Sequence, residues 1–312
     1  MRIVFLGTPS FAVPSLEALL GDGHEILAVF TQPDRPKGRS QSLAESAVKQ
    51  AAGARGLTVS QPERIRRPEN VEQLREYRPD LMVVVGYGQI IPQSIIDIPP
   101  HGILNVHASL LPKYRGAAPI QWAIANGETE TGVTIMRIDA GLDTGDMLRK
   151  VVAPISPVET APELSERLAT LGADALIATI RDVESGLAKP EKQDGAEATL
   201  APILKKEDGF ADWRLPAATL YNRWRGFQPW PGLHTLLRGQ SLQIWRAQPA
   251  GSITIAAPGA IRILKKRLFA VCGDGDALEL LDLQLAGKKR MPVEPFLNGY
   301  HLTESDRFGD LS

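Results

Sequence analysis

The run Asp80 to Val85, DLMVVV, constrains the fold of this chain more than any other stretch. Five apolar residues follow the aspartate without a break. A strand made of them has no polar face to turn to solvent, so both its sides must be covered, as in the central strand of a parallel sheet. The N-terminal stretch supplies neighbours. Arg2 to Leu6 and Glu25 to Thr31 read as strands, and Ser10 to Leu20 between them as a helix with Phe11, Leu16, Leu19 and Leu20 as apolar positions. Strand, helix and strand within about 30 residues form a βαβ unit, whose strands pair in parallel. The first part of the chain is therefore expected to be an α/β, Rossmann-like domain on a mostly parallel sheet. Its first turn reads GTPSFA rather than G-x-G-x-x-G, so no nicotinamide cofactor is expected there.

Further helices are expected over Leu43–Arg55, Pro68–Arg78, Ala117–Asn126 and Val158–Ser185. Further strands are expected over Leu57–Ser60, Gly102–Ala108, Thr131–Ile138 and Met147–Ile155. Gly186–Gly209 loses periodicity and reads as a linker. Beyond it, short apolar runs at Leu233–Leu237, Leu242–Ala247, Ile261–Leu264, Leu268–Cys272 and Ala277–Leu285 alternate with Gly and Pro turns, the pattern of a smaller, OB-like β-barrel. The expected division is a catalytic domain over 1–188, a linker over 189–208 and a second domain over 209–312.

With 312 residues, 43% hydrophobic and 23% charged, the chain is long enough for two cored domains. No apolar run approaches the ~20 residues of a membrane helix. The N-terminus reads directly as a strand, without a signal-peptide pattern, so a cytoplasmic protein with no membrane partner is expected, and a monomer. The single cysteine, Cys272, excludes an internal disulfide and suits a reducing compartment. The five histidines show no paired ligand spacing, so no metal is expected. Charge is uneven. Residues 209–312 carry 13 Lys and Arg against 9 Asp and Glu, while the rest carries 22 against 27. A basic second part suits a polyanionic partner.

Chemistry concentrates in Gly102–Gly116, GILNVHASLLPKYRG. Asn105 and His107 stand two positions apart, so a strand puts both side chains on one face. An amide donates a hydrogen bond without charge, and an imidazole carries a proton near neutral pH. Together they begin a catalytic site; the alternative is a strand whose polar end has reached solvent. Asp80–Val85 runs into Gly86-Tyr87-Gly88, whose two glycines either admit a flat heterocycle to the backbone or make a tight turn. Thr131–Ile138 ends in a loop rich in Gly and Asp over 139–146. The loop Gln32–Gln41 carries Arg35, Lys37 and Arg39 at the carboxyl end of a strand, either as phosphate contacts or as solvated side chains.

The pattern NxHxSLLPxYRG, joined to the downstream GLDTG, resembles the folate-dependent formyltransferases. GTPSFAVPSLEAL, TQPDRPKGR and PWPG narrow the resemblance to members that act on methionyl initiator tRNA. The resemblance covers most of the chain and is strongest over Met1–Ile155. It implies transfer of a formyl group from the co-substrate 10-formyltetrahydrofolate to the α-amino group of methionine on initiator tRNA. It implies catalytic roles for Asn105, His107 and Asp143, and folate contacts at Ser109, Leu110, Leu111 and Pro112. The stretch Val85–Ile91, with Val85, Gly86, Tyr87, Gly88 and Ile90, is similar to the family's wall for the pterin ring. The family's tRNA-contacting loop falls at Pro33–Leu43, with Arg39 at its acceptor-stem contact and Arg35 and Lys37 beside it. Lys265-Lys266-Arg267 and Lys288-Lys289-Arg290 in the expected barrel suit phosphates, or form a solvated charged surface. Two departures stand out. Ser40-Gln41-Ser42 follow Arg39 where the family often carries more basic residues, and Gln228 opens QPWPG where the family has Asn. Three rival readings remain. One is the same chemistry on an amino-sugar nucleotide, which leaves the basic loop and basic second part without a use. Another is hydrolysis of formyl-folate, which needs no large docking domain. The third is a non-catalytic folate- or RNA-binding module, which leaves Asn105, His107 and Asp143 without one.

Overall fold

The computed structural model describes residues 1–37, 42–253 and 256–309. The chain divides into two compact units. Met1–Pro119, Glu130–Pro154 and Leu164–Pro202 make the first; Ile120–Thr129, Ile155–Glu163 and Ile203–Ser312 make the second. In chain order, the elements up to residue 184 are β1 (Arg2–Gly7), α1 (Val13–Gly21), β2 (Glu25–Phe30), β3 (Arg35–Lys37), β4 (Ser42–Ala44), α2 (Ala47–Ala54), β5 (Val59–Ser60), α3 (Pro68–Tyr77), β6 (Leu81–Val85), α4 (Gln93–Ile96), β7 (Ile103–His107), α5 (Pro119–Ala125), β8 (Glu130–Arg137), β9 (Met147–Pro154) and α6 (Ala161–Glu184).

Among the described residues, the first unit's main sheet has the order β5-β2-β1-β6-β7-β8-β9. The first five strands in that order pair in parallel, and β8 runs antiparallel to both β7 and β9. All five residues of β6 are buried, and its neighbours are β1 and β7. The apolar run that dictates a central strand therefore finds one. Val4, Leu6, Phe30, Met82, Val84 and Ile103 pack together in a core under the sheet.

Three boundaries differ from expectation. Within the basic loop, β3 and β4 pair antiparallel, so Leu43 belongs to a hairpin and α2 starts only after Ser46, whose hydroxyl accepts from the Lys49 amide at 3.0 Å. Such a cap fixes where a helix begins. The long helix α6 begins at Ala161 rather than Val158. Thr160 donates its backbone N–H (2.8 Å) and hydroxyl (2.7 Å) to the Glu163 carboxylate, half of a capping box. Third, the 186–209 stretch does not run free. Glu191 bridges Met147, and Leu200 bridges Arg115.

The second unit contains α7 (Ala217–Gly226), β10 (Leu233–Leu237), β11 (Gln240–Ser252), β12 (Ile261–Leu264), β13 (Arg267–Val271), β14 (Asp276–Leu285), β15 (Met291–Pro292) and α8 (Val293–Tyr300). Its antiparallel sheet has the order β10-β11-β14-β13-β12, with β15 on β14. Two consecutive residues join its edges. Arg307 bridges Ala260 beside β12, and Phe308 bridges Leu237 of β10. Pairing both edges closes the sheet as a barrel and removes the free edge that would invite association. Buried Leu233, Leu242, Ile244, Leu268, Leu280 and Phe296 are part of its core. Burial pushes the Cys272 thiol up to about 12, which makes it a core residue rather than a nucleophile.

Residues from the first half of the chain belong to this second unit. Trp122 of α5 meets Phe227 edge-on at 5.3 Å. A Cβ at Gly226 would lie 2.6 Å from the Gln121 carbonyl oxygen, so only glycine lets α7 come this close to α5. The buried Arg225 guanidinium donates to the carbonyls of Ser156 (3.0 Å) and Glu159 (2.8 Å) and to the Asn222 side chain (2.7 Å).

Candidate active site

The residues of β7 alternate between two faces. A Cβ at Gly172 of α6 would lie 2.8 Å from Val106 Cγ1, so α6 covers the Val106 face. Asn105 and His107 share the other face by the strand's period of two. They are only 8% and 5% exposed. No protein group among the described residues hydrogen-bonds the Asn105 side chain. Its polar atoms are not among the buried side-chain groups left without a partner, so the amide tip reaches the solvent-accessible side and its donors are open to a ligand.

His107 is held by one nitrogen. Its Nε2 lies 3.0 Å from the Tyr114 carbonyl oxygen. A carbonyl only accepts, so Nε2 carries a hydrogen and donates it. In the neutral ring Nδ1 is then the bare nitrogen. Nδ1 faces Asp143 Oδ2 at 3.7 Å, too far for a hydrogen bond but close enough for an ion pair once Nδ1 is protonated.

Asp143 sits in the loop between β8 and β9 with φ of 50°, a left-handed conformation that a side chain disfavours. Its Oδ2 accepts the Gly116 amide at 2.9 Å. Asp139 accepts from the Gly141 amide and the Thr144 hydroxyl and so folds the loop on itself. The three residues that the motif suggests are thus gathered at one end of the sheet.

The SLLP segment is pinned by a residue that motif reading misses. Thr134 is the register partner of His107 on β8 and is fully buried. Its hydroxyl donates to the Ser109 carbonyl (2.7 Å) and accepts from the Leu111 amide (3.1 Å). Ser109 donates its own hydroxyl to the Lys113 carbonyl at 2.6 Å, and Leu111 is buried against Met136 and Met147. Leu110 and Pro112 are the members of this segment that keep partial exposure. The alternation of Thr131–Ile138 marks Thr134 as facing one side, but nothing local says which segment it holds.

The Val85–Ile91 stretch divides in the same way. Val85 is buried, and the Tyr87 ring packs in the core with Val4, Leu6 and Phe30. The Tyr87 hydroxyl has no partner among the described residues, and burial raises its pKa. The Tyr87 carbonyl is fixed by the Thr8 hydroxyl (3.0 Å) and the Gln32 side-chain amide (3.1 Å). What this stretch presents outward is Gly86, Gly88 and Ile90, the last 88% exposed. That leaves backbone and one aliphatic side chain for a flat ring to meet.

Of the basic loop, Arg39 and the side chain of Lys37 lie outside the described residues. Arg35 is exposed, and its neighbour Asp34 is occupied by Lys49 (2.5 Å) and Gln61 (2.8 Å), so the guanidinium keeps its charge available. In the second unit the two basic clusters are half committed. Lys266 pairs with Glu294, Arg267 with Glu279 and Arg290 with Asp282, each at 2.6 Å. Lys265, Lys288 and Lys289 are exposed and pair with no group among the described residues. Among those residues no helix is long and apolar enough to cross a membrane.

Comparison with known proteins defines the class. Residues 1–180 match the formyl transferase family, and residues 203–301 match the formyl transferase C-terminal domain. The chain belongs to the formyl transferase family. It is 60% identical over 310 residues to the methionyl-tRNA formyltransferase of Solibacter usitatus, covering 99% of each chain. It is 54% identical over 312 residues to that of Acidobacterium capsulatum, covering 99% of this chain and 100% of the other. Within the family it stands among the methionyl-tRNA formyltransferases. The fold also matches an N-formyltransferase from Helicobacter canadensis, solved in complex with folinic acid and dTDP-3-aminofucose. There the TM-score is 0.68 at 18% identity, over 90% of this chain and 98% of that one.

Proposed function

We propose that this chain transfers the formyl group of 10-formyltetrahydrofolate to the α-amino group of methionyl initiator tRNA. The product is N-formylmethionyl-tRNA for translation initiation. The observation that carries the reading is an uncommitted, nearly buried Asn105 amide beside a histidine whose one bare nitrogen faces a carboxylate. The methionyl-tRNA formyltransferase relatives, alike from end to end, supply the acceptor.

Each group has a task in that reaction. The neutral amine adds to the formyl carbon, which leaves an oxyanion and an ammonium. Asn105 donates its amide hydrogens to the oxyanion, and removing one such donor typically costs ~3–4 kcal/mol of barrier. The ammonium proton goes to Nδ1 of His107, because Nε2 is already protonated and tied to Tyr114. The imidazolium formed there is stabilised by Asp143, 3.7 Å away. Returning that proton to the departing folate nitrogen breaks the old carbon–nitrogen bond and resets the site. Ile90, Leu110 and Pro112, with Gly86 and Gly88, line the folate's approach, while the buried Val85, Tyr87, Ser109 and Leu111 support them. Arg35, Lys265, Lys288 and Lys289 meet tRNA phosphates. The reading carries with it a cytoplasmic, monomeric enzyme.

An acceptor comparison tests it. Purified protein and 10-formyltetrahydrofolate are given methionyl initiator tRNA, a dTDP-linked amino sugar, or neither. The expected result is formylated product with the tRNA alone. Product only with the sugar, or formate release without an acceptor, would overturn the assignment.

A further inference from the structure

We propose that Gln193 is a positioning residue for formyl transfer, setting the Asp143 carboxylate against His107. The proposal rests on the function assigned above. Gln193 lies in the stretch that sequence alone reads as a linker, yet that stretch is fastened on either side of it. Met147 and Glu191 exchange backbone hydrogen bonds of 2.8 Å each. Arg115 donates its amide to the Thr199 carbonyl (2.9 Å) and accepts from the Ala201 amide (2.7 Å).

Between these anchors the Gln193 amide reaches the catalytic loop. Its Nε2 donates to the carbonyls of Asp143 (2.9 Å) and Gly145 (2.8 Å). Its Oε1 accepts from Arg115 Nε (3.0 Å) and Nη2 (2.7 Å). Both hydrogens and both lone pairs are used, and each partner can play only one role. Turning the amide over would set oxygen against two carbonyls and nitrogen against a guanidinium, so this orientation alone fits.

The grip matters because of what it holds. Asp143 has a left-handed φ of 50°, a conformation that aspartate adopts more readily than most residues but that still has to be held for its carboxylate to keep one direction. Gln193 takes the carbonyls on both sides of Thr144, while Gly116 takes the carboxylate itself. Arg115 and Gly116 close the SLLPKYRG motif, and Asp143 belongs to GLDTG. Gln193 adds a second tie between these two motifs, beside the direct bond from the Gly116 amide to the Asp143 carboxylate. Without it the loop backbone keeps only its own Asp139 contacts and the Gly116 bond to the carboxylate, so the carboxylate is held less firmly in its place opposite Nδ1.

The test uses Gln193→Ala and Gln193→Glu in the full chain. We expect Gln193→Ala to lower kcat ~10- to 100-fold, as misplacing a group by about 1 Å does. KM for formyl-folate and for methionyl-tRNA should stay within about twofold, and the melting temperature close to wild type. Gln193→Glu keeps the acceptor for Arg115 but turns a carboxylate oxygen on two carbonyls, so it should be at least as impaired as the alanine variant. Hydrogen exchange of the 141–146 amides should quicken in Gln193→Ala. Wild-type kcat in either variant would overturn the proposal, as would a loss explained by a lower melting temperature or unchanged exchange in that loop. A wild-type protein that formylates no acceptor would instead defeat the assigned function. The exchange comparison would still decide whether Gln193 holds the loop.

Discussion

Asn105 and His107 at the end of β7 are at most 8% exposed, whereas the lysines and arginines around the tips of β12, β13 and β14 stand on the surface. The difference decides how each region can work. Out of water, a single amide or imidazole aimed at a developing charge acts through a low local dielectric, so a few atoms dominate the barrier. On the surface each charge is screened and contributes modestly, so a polyanion must be held by several at once. The first region fails when one atom moves; the second weakens by degrees.

The sharpest way to break this comparison is to truncate the buried pair. His107→Ala should lower the single-turnover rate of formyl transfer by at least ~1,000-fold, since it removes both the proton acceptor and the cation that Asp143 supports. Asn105→Ala should cost ~100- to 1,000-fold, the loss expected for one oxyanion donor. Circular dichroism should show the fold intact in both. Retention of more than about a tenth of the rate by the His107 variant would remove it from the chemistry.

Two hairpin turns of the second unit refine the contrast. Arg238-Gly239, between β10 and β11, and Lys265-Lys266, between β12 and β13, both take positive φ, at 49° and 73° and at 48° and 64°. In the first, Arg238 makes a forked pair with Asp306 (2.6 and 2.7 Å) and also donates to the carbonyls of Tyr300 and His301. That fastens the hairpin to the tail whose residues 307 and 308 close the barrel. The Arg238 guanidinium holds the Asp306 carboxyl down at about 2. A depressed carboxyl pKa stabilises the fold above the unfolded value near 4, and that contribution fades as pH falls toward about 2. Asp306→Asn should therefore cost ~1–2 kcal/mol in urea unfolding at about pH 7, and the gap to wild type should narrow by about pH 3. Tryptophan fluorescence isolates this unit, because Trp122, Trp213, Trp224, Trp230 and Trp245, the chain's five tryptophans, all belong to it. A gap that is independent of pH would mean that Asp306 acts through packing rather than charge.

Legibility in the sequence divides along the same line. The buried strand β6, the βαβ start and the shared face of Asn105 and His107 all follow from local periodicity. The hold of Gln193 on the Asp143 loop does not, because its partners are some 50 and 78 positions away in the chain. The same holds for Thr134 under the SLLP segment, and for Arg307 and Phe308 as the closing residues of the barrel. Periodicity also gives no sign that α5 packs with the second unit, since the cause is a missing side chain at Gly226. Nor does a basic cluster announce which of its members have found carboxylates.

That last distinction yields the smallest prediction and the one that most sharpens the surface half of the comparison. Among the described residues Lys265, Lys288 and Lys289 have no side-chain partner, whereas Lys266, Arg267 and Arg290 are paired, and Arg290 also lies over the Trp245 ring at 5.2 Å. Each free lysine that meets a phosphate releases about one counterion, so its loss should flatten the salt dependence of tRNA affinity by ~0.7–0.9 in log–log slope. The triple variant Lys265→Ala, Lys288→Ala, Lys289→Ala should thus lose ~2–3 units of slope and about tenfold in affinity, with KM for formyl-folate unchanged. Arg290→Ala should leave the slope close to wild type, because its charge already answers Asp282. Measuring tRNA Kd between about 50 and 300 mM salt separates the outcomes. A triple variant with an unaltered slope would reduce these lysines to solvated surface. A larger effect from Arg290 would mean that the ion pairs open to the phosphates rather than holding back from them.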